Sequence, residues 1–206
     1  MECDRIVQSL DLAAVGAHPS RSVRRLRPAI GTGPGRGEPV SARGDSAMTL
    51  ALPELSATAV DAETVLAPAR AAARTGQLAC AGALPPADAW TLFATGQAVL
   101  VDVRTVEERA YVGRVPGSLH VAWATGTAQT RNPRFLRELE KCVPHKDAVV
   151  LLLCRSGKRS AAAAAAATAA GYTQVYNVLE GFEGERDTLG RRGDNGGWRH
   201  HGLPWE

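Results

Sequence analysis

No stretch of this chain approaches the roughly 18 continuous apolar residues that a membrane span needs. The one long apolar run, Ala161–Ala167, is short and only weakly hydrophobic. The first residues also lack the basic-then-apolar order of a secretory signal, because Glu2 and Asp4 stand where basic residues belong. No membrane association is expected, and a cytoplasmic location is. There is no dense Lys/Arg block and the net charge is only +3, so nucleic-acid binding is not expected either. Lysine is scarce beside arginine while alanine is abundant, a bias typical of GC-rich bacterial genomes. Cysteine is limited to Cys3, Cys80, Cys142 and Cys154, and no two have CxxC or zinc-ligand spacing. His120, His145, His200 and His201 show no metal-binding spacing, so neither a metal nor a cofactor is expected. Four cysteines in 206 residues do not make a disulfide scaffold. Reduced thiols are the expectation, which leaves one free to act as a nucleophile.

What is present suffices for one core. The chain is 45% apolar and 22% charged, close to the globular average, and its length suits one domain with a tail. Residues 1–47 carry an arginine cluster (Arg21, Arg24, Arg25, Arg27) and the run Gly31–Gly37, with no sustained period. A solvated, disordered tail is expected there, and Met48 offers an alternative translation start. Residues 48–84 read as a helical N-terminal extension, built on a helix from Asp61 to Gly76 with Val65, Leu66, Ala69 and Ala73 on one face. Cys80 to Pro86 reads as a loose connection.

Residues 85–206 hold the chemistry. Pro86 to Thr95 predicts a helix with Trp90, Leu92 and Phe93 turned inward. Val99 to Val103 predicts a buried strand. Thr105 and Glu108 make a capping-box pattern for a following helical turn. Ser118 to Trp123 is a further strand candidate. Asn132 as cap and Pro133 at the first position predict a helix to Lys141, with Phe135, Leu136 and Leu139 as its apolar stripe. Ala148 to Leu153 is the most apolar strand, Ser160 to Ala170 an alanine-rich helix, and Gln174 to Val178 a last strand. Strands alternating with helices predict an α/β fold whose mostly parallel central sheet is flanked by helices on both faces.

The decisive stretch is Leu153-Cys154-Arg155-Ser156-Gly157-Lys158-Arg159-Ser160. A strand ends, and Cys154 stands at its carboxyl end, where open α/β sheets bind ligands. A glycine-containing loop follows and a helix starts at Ser160. Loop N–H groups and the helix N-terminus favour an anion there, and Arg155, Lys158 and Arg159 raise the potential further. All of these favour the thiolate over the thiol, and the thiolate is the nucleophile. A plain core cysteine needs none of them.

This loop resembles the active-site loop of the rhodanese homology superfamily. Leu100-Val101-Asp102-Val103-Arg104 with Glu107-Glu108 resembles that family's "DVR…EE" signature, and Gly113-Arg114-Val115-Pro116-Gly117-Ser118 its "GHIPGA" turn, with Arg114 in place of the usual histidine. Gly196-Gly197-Trp198 and Gly202-Leu203-Pro204-Trp205 resemble the closing "GG…W…GYP". The resemblance spans roughly residues 85–206 and implies a rhodanese-like three-layer fold. It also implies sulfur transfer through a Cys154 persulfide, loaded from a donor such as thiosulfate and discharged to cyanide, a thiol or an acceptor protein. It implies that Arg155 and Arg159 bind the anionic donor while Lys158 adds potential. Asp102 and Arg104 are implied to brace the strand end, and Glu107 and Glu108 read as surface or cap groups. Trp123 and Trp198 are candidates for the pocket mouth or for the core. Residues 183–195 form an insert that many such domains lack, expected as a rim over the Cys154 loop that helps choose the donor.

Two other readings compete. A phosphatase or arsenate reductase would use a Cys-x5-Arg loop, whereas Cys154 to Arg159 gives Cys-x4-Arg. A non-catalytic binding module often loses the cysteine, whereas this chain keeps both the cysteine and the cations. A sulfur carrier whose acceptor is another protein would keep them too, and nothing in the sequence separates it from a small-molecule enzyme.

Overall fold

The computed structural model describes residues 61–206. The tail expected over 1–47, the alternative start at Met48 and the first part of the extension lie outside the described residues. The described chain opens with helix α1 (Ala62–Thr75), where the Asp61 carboxylate accepts from the Glu63 N–H. Leu66, Ala69 and Ala73 are its buried face; Val65 is only half-buried. The stretch from Cys80 to Pro86, expected to be loose, contains strand β1 (Gly82–Leu84). A strand of this length is too brief to show alternation. Its identity comes from parallel pairing with residues 176–178, far along the chain. Residues 61–84 therefore supply both a helix and an edge strand to the sheet of the following domain. Helix α2 (Pro86–Ala94) has proline in its first turn and buries Leu92 fully, with Trp90 and Phe93 half-buried.

Strand β2 (Val99–Asp102) is buried throughout. Helix α3 (Val106–Val112) follows a complete capping box: Glu108 N–H donates to Thr105 Oγ1 at 3.3 Å, and Thr105 N–H to Glu108 Oε2 at 3.0 Å. The strand expected over 118–123 shrinks to β3 (Leu119–His120), after which the chain turns into an unanticipated hairpin, β4 (Ala124–Thr125) with β5 (Thr130–Arg131). Helix α4 (Phe135–Cys142) starts later than expected. Asn132 does not cap it: its Oδ1 accepts from Arg134 N–H, and its amide donates to Ala122 O and Glu138 Oε2, which ties the turn to the sheet end. The stripe is Phe135, Leu139 and Cys142, with Leu136 exposed, because rotating the helix to seat Cys142 turns Leu136 outward. Strand β6 (Val150–Leu153), helix α5 (Lys158–Ala169) and strand β7 (Val175–Val178) complete the order.

Separate from the β4–β5 hairpin, five of the strands form a parallel sheet in the order β1-β7-β6-β2-β3. Side-chain alternation divides it into two apolar faces. Leu100, Leu151 and Leu153 pack with Leu66, Ala69, Ala89 and Leu92 from α1 and α2, joined by Phe182 and Trp198. Val101, Val150 and Leu152 pack with Phe135 and Leu139 of α4 and with Ala163, Ala164 and Ala167 of α5. The alanine run thus serves two ends: it favours helix, and its small side chains let α5 lie close on the sheet. This is the expected α/β arrangement, with helices on both faces. No helix among the described residues is long and apolar enough to cross a membrane.

Candidate active site

Cys154 follows β6 directly and keeps the phase of Val150 and Leu152, so its side chain belongs to the face that α5 covers. It is only 1% exposed. Between it and Lys158, the first residue of α5, the chain reverses through Arg155, Ser156 and Gly157. The helix therefore begins two residues before the expected Ser160. Gly157 makes the early start feasible: it sits at φ +84°, a left-handed conformation that residues other than glycine rarely adopt. Ser160 is consequently in the first turn, fully buried, with Oγ 3.2 Å from Cys154 Sγ and 3.1 Å from Gly157 O.

A second strand of chain backs the loop. Phe182 N–H donates to Cys154 O at 2.7 Å and Glu183 N–H to Arg155 O at 2.9 Å. Gly181 (φ +66°) lies so close that a Cβ there would stand 2.5 Å from Cys154 O and from Ser156 N. Trp198 belongs to the core rather than to a pocket mouth: it is fully buried, with its backbone N–H donating to Gly181 O. Trp123 is half-buried beneath the Arg131 guanidinium, whose carbon lies 3.0 Å from the ring centroid.

The three cations differ in surroundings. Arg159 is held by Glu108 through both terminal nitrogens, Nη1 to Oε2 and Nη2 to Oε1, each at 2.7 Å. Nη1 donates also to Gln129 Oε1 at 2.8 Å. Arg155 stands 3.8 Å from Glu108 and is 39% exposed, and Lys158 is 78% exposed, 3.2 Å from Glu185. Burial pushes the Glu108 carboxyl up, but its hydrogen bonds from Arg159 and Thr105, with the nearby Arg155 charge, outweigh this and hold it below the usual carboxylate range. Burial pulls Arg159 down, yet Glu108 and the field of the Cys154 sulfur raise it above its ordinary value. Glu108, which reads as a surface or cap group in the sequence, is therefore the counterion of the loop. Its capping-box spacing explains one oxygen's partner; its other partner arrives from 51 positions away and leaves no local signal.

Asp102 and Arg104 form a fully buried pair at 2.7 Å. Arg104 also donates to Gly113 O at 2.7 Å and lies 4.0 Å over the Phe182 ring. The pair thus ties the end of β2 to the segment that backs the loop. Arg109 adds a third charge, 3.4 Å from Asp102. The insert closes on itself through a Glu185–Asn195 bridge, with Asp187 accepting from Leu189 and Arg191 N–H groups, and it meets the start of α5 through Lys158 and Glu185. Cys142 is buried at the end of α4. Cys80 precedes β1, at the end of the sheet opposite Cys154, beside a surface cavity of about 440 Å³ lined by Arg70, Arg74 and Thr173; burial pushes its thiol up. Among the described residues no group of three or more His, Cys, Asp or Glu side chains is placed to hold a metal.

Comparison with known proteins agrees with this geometry. The family model described as rhodanese-like domain matches residues 85–186. The uncharacterised protein RC0915 of Rickettsia conorii is 35% identical over 116 residues, covering 56% of this chain and 88% of that protein. The thiosulfate sulfurtransferase GlpE of Actinobacillus succinogenes is 32% identical over 123 residues, covering 60% of this chain and 88% of GlpE. The crystal structure of Rv0390 from M. tuberculosis superposes with a TM-score of 0.54 at 44% identity, over 61% of this chain and 98% of that one. With its loop, its sheet and these relatives in agreement, the chain belongs to the rhodanese-like domain family.

Proposed function

We propose that the protein is a sulfurtransferase that carries sulfane sulfur on Cys154, from a donor such as thiosulfate to cyanide, a small thiol or a thiol-bearing acceptor protein. The observation that carries this reading is the placement of Cys154 at the end of a central strand, beneath a three-residue turn into a helix N-terminus, with Ser160 Oγ 3.2 Å from its sulfur and Arg159 in the same first turn. The first N–H of this turn to bond within the helix is Ala161's, to Gly157 O at 3.0 Å. The N–H groups before it are those a helix start leaves for an anionic ligand.

In the first half-reaction the Cys154 thiolate attacks the outer sulfur of thiosulfate. The Sγ–S bond forms, the S–S bond of the donor breaks, and sulfite leaves with that bond's electron pair. The negative charge of the persulfide then rests on its terminal sulfur, where the loop N–H groups and the Ser160 hydroxyl can stabilise it. In the second half-reaction the acceptor attacks the terminal sulfur and the Cys154 thiolate departs, which makes the cycle ping-pong. Arg155 and Arg159 bind the oxyanion end of the donor, Lys158 adds attractive potential, and Ser156 and Gly157 shape the cradle. Asp102 and Arg104 support it without touching the reacting sulfur. Among the described residues Cys80, Cys142 and Cys154 are in no disulfide.

Intact-mass spectrometry before and after thiosulfate tests the reading. The expected result is uptake of one sulfur atom at Cys154, its removal by cyanide with release of thiocyanate, and no uptake in Cys154→Ser. Equal uptake by Cys154→Ser, or none by the wild type with any sulfane donor, refutes it.

A further inference from the structure

Arg159, in the first turn of the helix that follows the Cys154 loop, is held by more than its carboxylate. Gln129 reaches it from the loop between β4 and β5, 30 positions earlier in the chain. Gln129 stands at φ +54°, one of three non-glycine residues among the described ones in the left-handed region. That conformation costs a side chain-bearing residue roughly 1–2 kcal/mol, and such outliers persist where the surrounding contacts require them. One such contact is the hairpin turn's own bond, Gln129 N–H to Gly126 O at 3.1 Å, and the hydrogen bond from Arg159 Nη1 is a side-chain contact that reaches the tip from outside the hairpin. The loop's other residues, Gly126, Thr127 and Ala128, are exposed.

The donor inventory of Arg159 shows what this bond does. A guanidinium has five N–H groups. Both on Nη1 are used, one by Glu108 and one by Gln129, and one on Nη2 is used by Glu108. The Nε–H and the second Nη2–H remain, without a partner among the described residues. These two lie on a single edge, the fork that matches two oxygens of a planar or tetrahedral oxyanion. Glu108 alone, gripping the far end of the guanidinium, leaves it free to rock. Gln129 fixes it from a second direction and, being neutral, does so without cancelling more of its charge.

We propose that Gln129 is a positioning residue for donor selection: by fixing Arg159 from the hairpin side, it presents the free Nε–H and Nη2–H edge to the oxyanion end of a sulfonate-type donor. This rests on the sulfur-transfer reading above. It makes donors with an oxyanion end, such as thiosulfate, the preferred class over hydropersulfides that lack one.

The test uses the full chain as wild type, Gln129→Gly and Gln129→Glu. Steady-state kinetics are run with cyanide as acceptor and either thiosulfate or the hydropersulfide of a small thiol as donor. Loss of one exposed hydrogen bond, worth what a typical one is, should raise the thiosulfate KM of Gln129→Gly roughly threefold to tenfold. Gln129→Glu should raise it further, since a second carboxylate on Arg159 opposes the anion. The hydropersulfide KM and the rate at which cyanide discharges preloaded enzyme should not change, and the Tm of Gln129→Gly should equal or exceed the wild type's because glycine relieves the backbone strain. An unchanged thiosulfate KM, or equal shifts with both donors, overturns the proposal. Thiosulfate binding to the inert Cys154→Ser protein, with and without Gln129→Gly, reads the same effect without turnover. Equal Kd values overturn the role of Gln129 even if sulfur transfer stands, whereas a wild type that takes no sulfur overturns both.

Discussion

Gly181→Ala is expected to damage the Cys154 loop from behind, through the backbone alone. Two costs add at this position. Gly181 sits at φ +66°, where an L side chain costs about 1–2 kcal/mol. The new methyl would also stand 2.5 Å from Cys154 O and Ser156 N and 2.6 Å from Arg155 C. All three are backbone atoms, so nothing flexible can swing aside, and overpacking of this kind costs about 1–3 kcal/mol more. The sum is about 2–5 kcal/mol. Gly96→Ala separates the two terms, because Gly96 has φ +72° but nothing within 4 Å of the added methyl. Urea unfolding of both variants at neutral pH measures the difference. The expected result is a larger loss for Gly181→Ala by about 1–3 kcal/mol, together with slower sulfur loading at Cys154, since relief of the clash must move the loop. Equal losses in the two variants would refute the claim that the Gly181 segment buttresses the loop by direct contact.

Two further predictions follow from the buried charges. Glu108→Gln removes the carboxylate that clamps Arg159 and should cost about 1.5–3 kcal/mol at pH 7. Since the folded pKa of Glu108 is depressed, the clamp's stabilisation is full above the unfolded carboxylate value of about 4.3 and is lost as pH falls through the lower folded value. Urea midpoints of wild type and variant should therefore converge in acid, and a gap independent of pH would count against the ion pair. Asp102→Asn leaves Arg104 charged, fully buried and without its counterion, and should cost about 3–5 kcal/mol in the same assay. A loss below about 1 kcal/mol, the range of an exposed pair, would show that water reaches the site.

Much of this protein is legible in the order of its residues because the physics involved is local. Strands β2 and β6 announce themselves as short apolar runs, interrupted in β2 only by its last residue, Asp102, because a strand buried on both faces is built mainly of apolar residues. The capping box of Thr105 and Glu108 is a spacing rule satisfied within one turn. Cys154, the glycine after it and the cations around it are contiguous, so residue order alone displays the candidate nucleophile together with its cradle. The misplaced boundaries have equally specific causes. The start of α5 depends on the left-handed turn at Gly157, and Asn132 has the residue type of a cap but spends its bonds on Ala122 and Glu138.

What the chain order by itself determined is the fold class and the family, and it singled out Cys154 as the candidate nucleophile. What only tertiary structure decided is who stands around that cysteine. Strand β1 exists because β7 offers it hydrogen bonds, the hairpin carrying Gln129 has no periodic signature, and Glu108 becomes a counterion only when α3 and α5 meet. Local propensity and alternation are written along the chain within a few residues. Pairings across 30 or 51 positions are not, because they depend on how the sheet brings separate elements together.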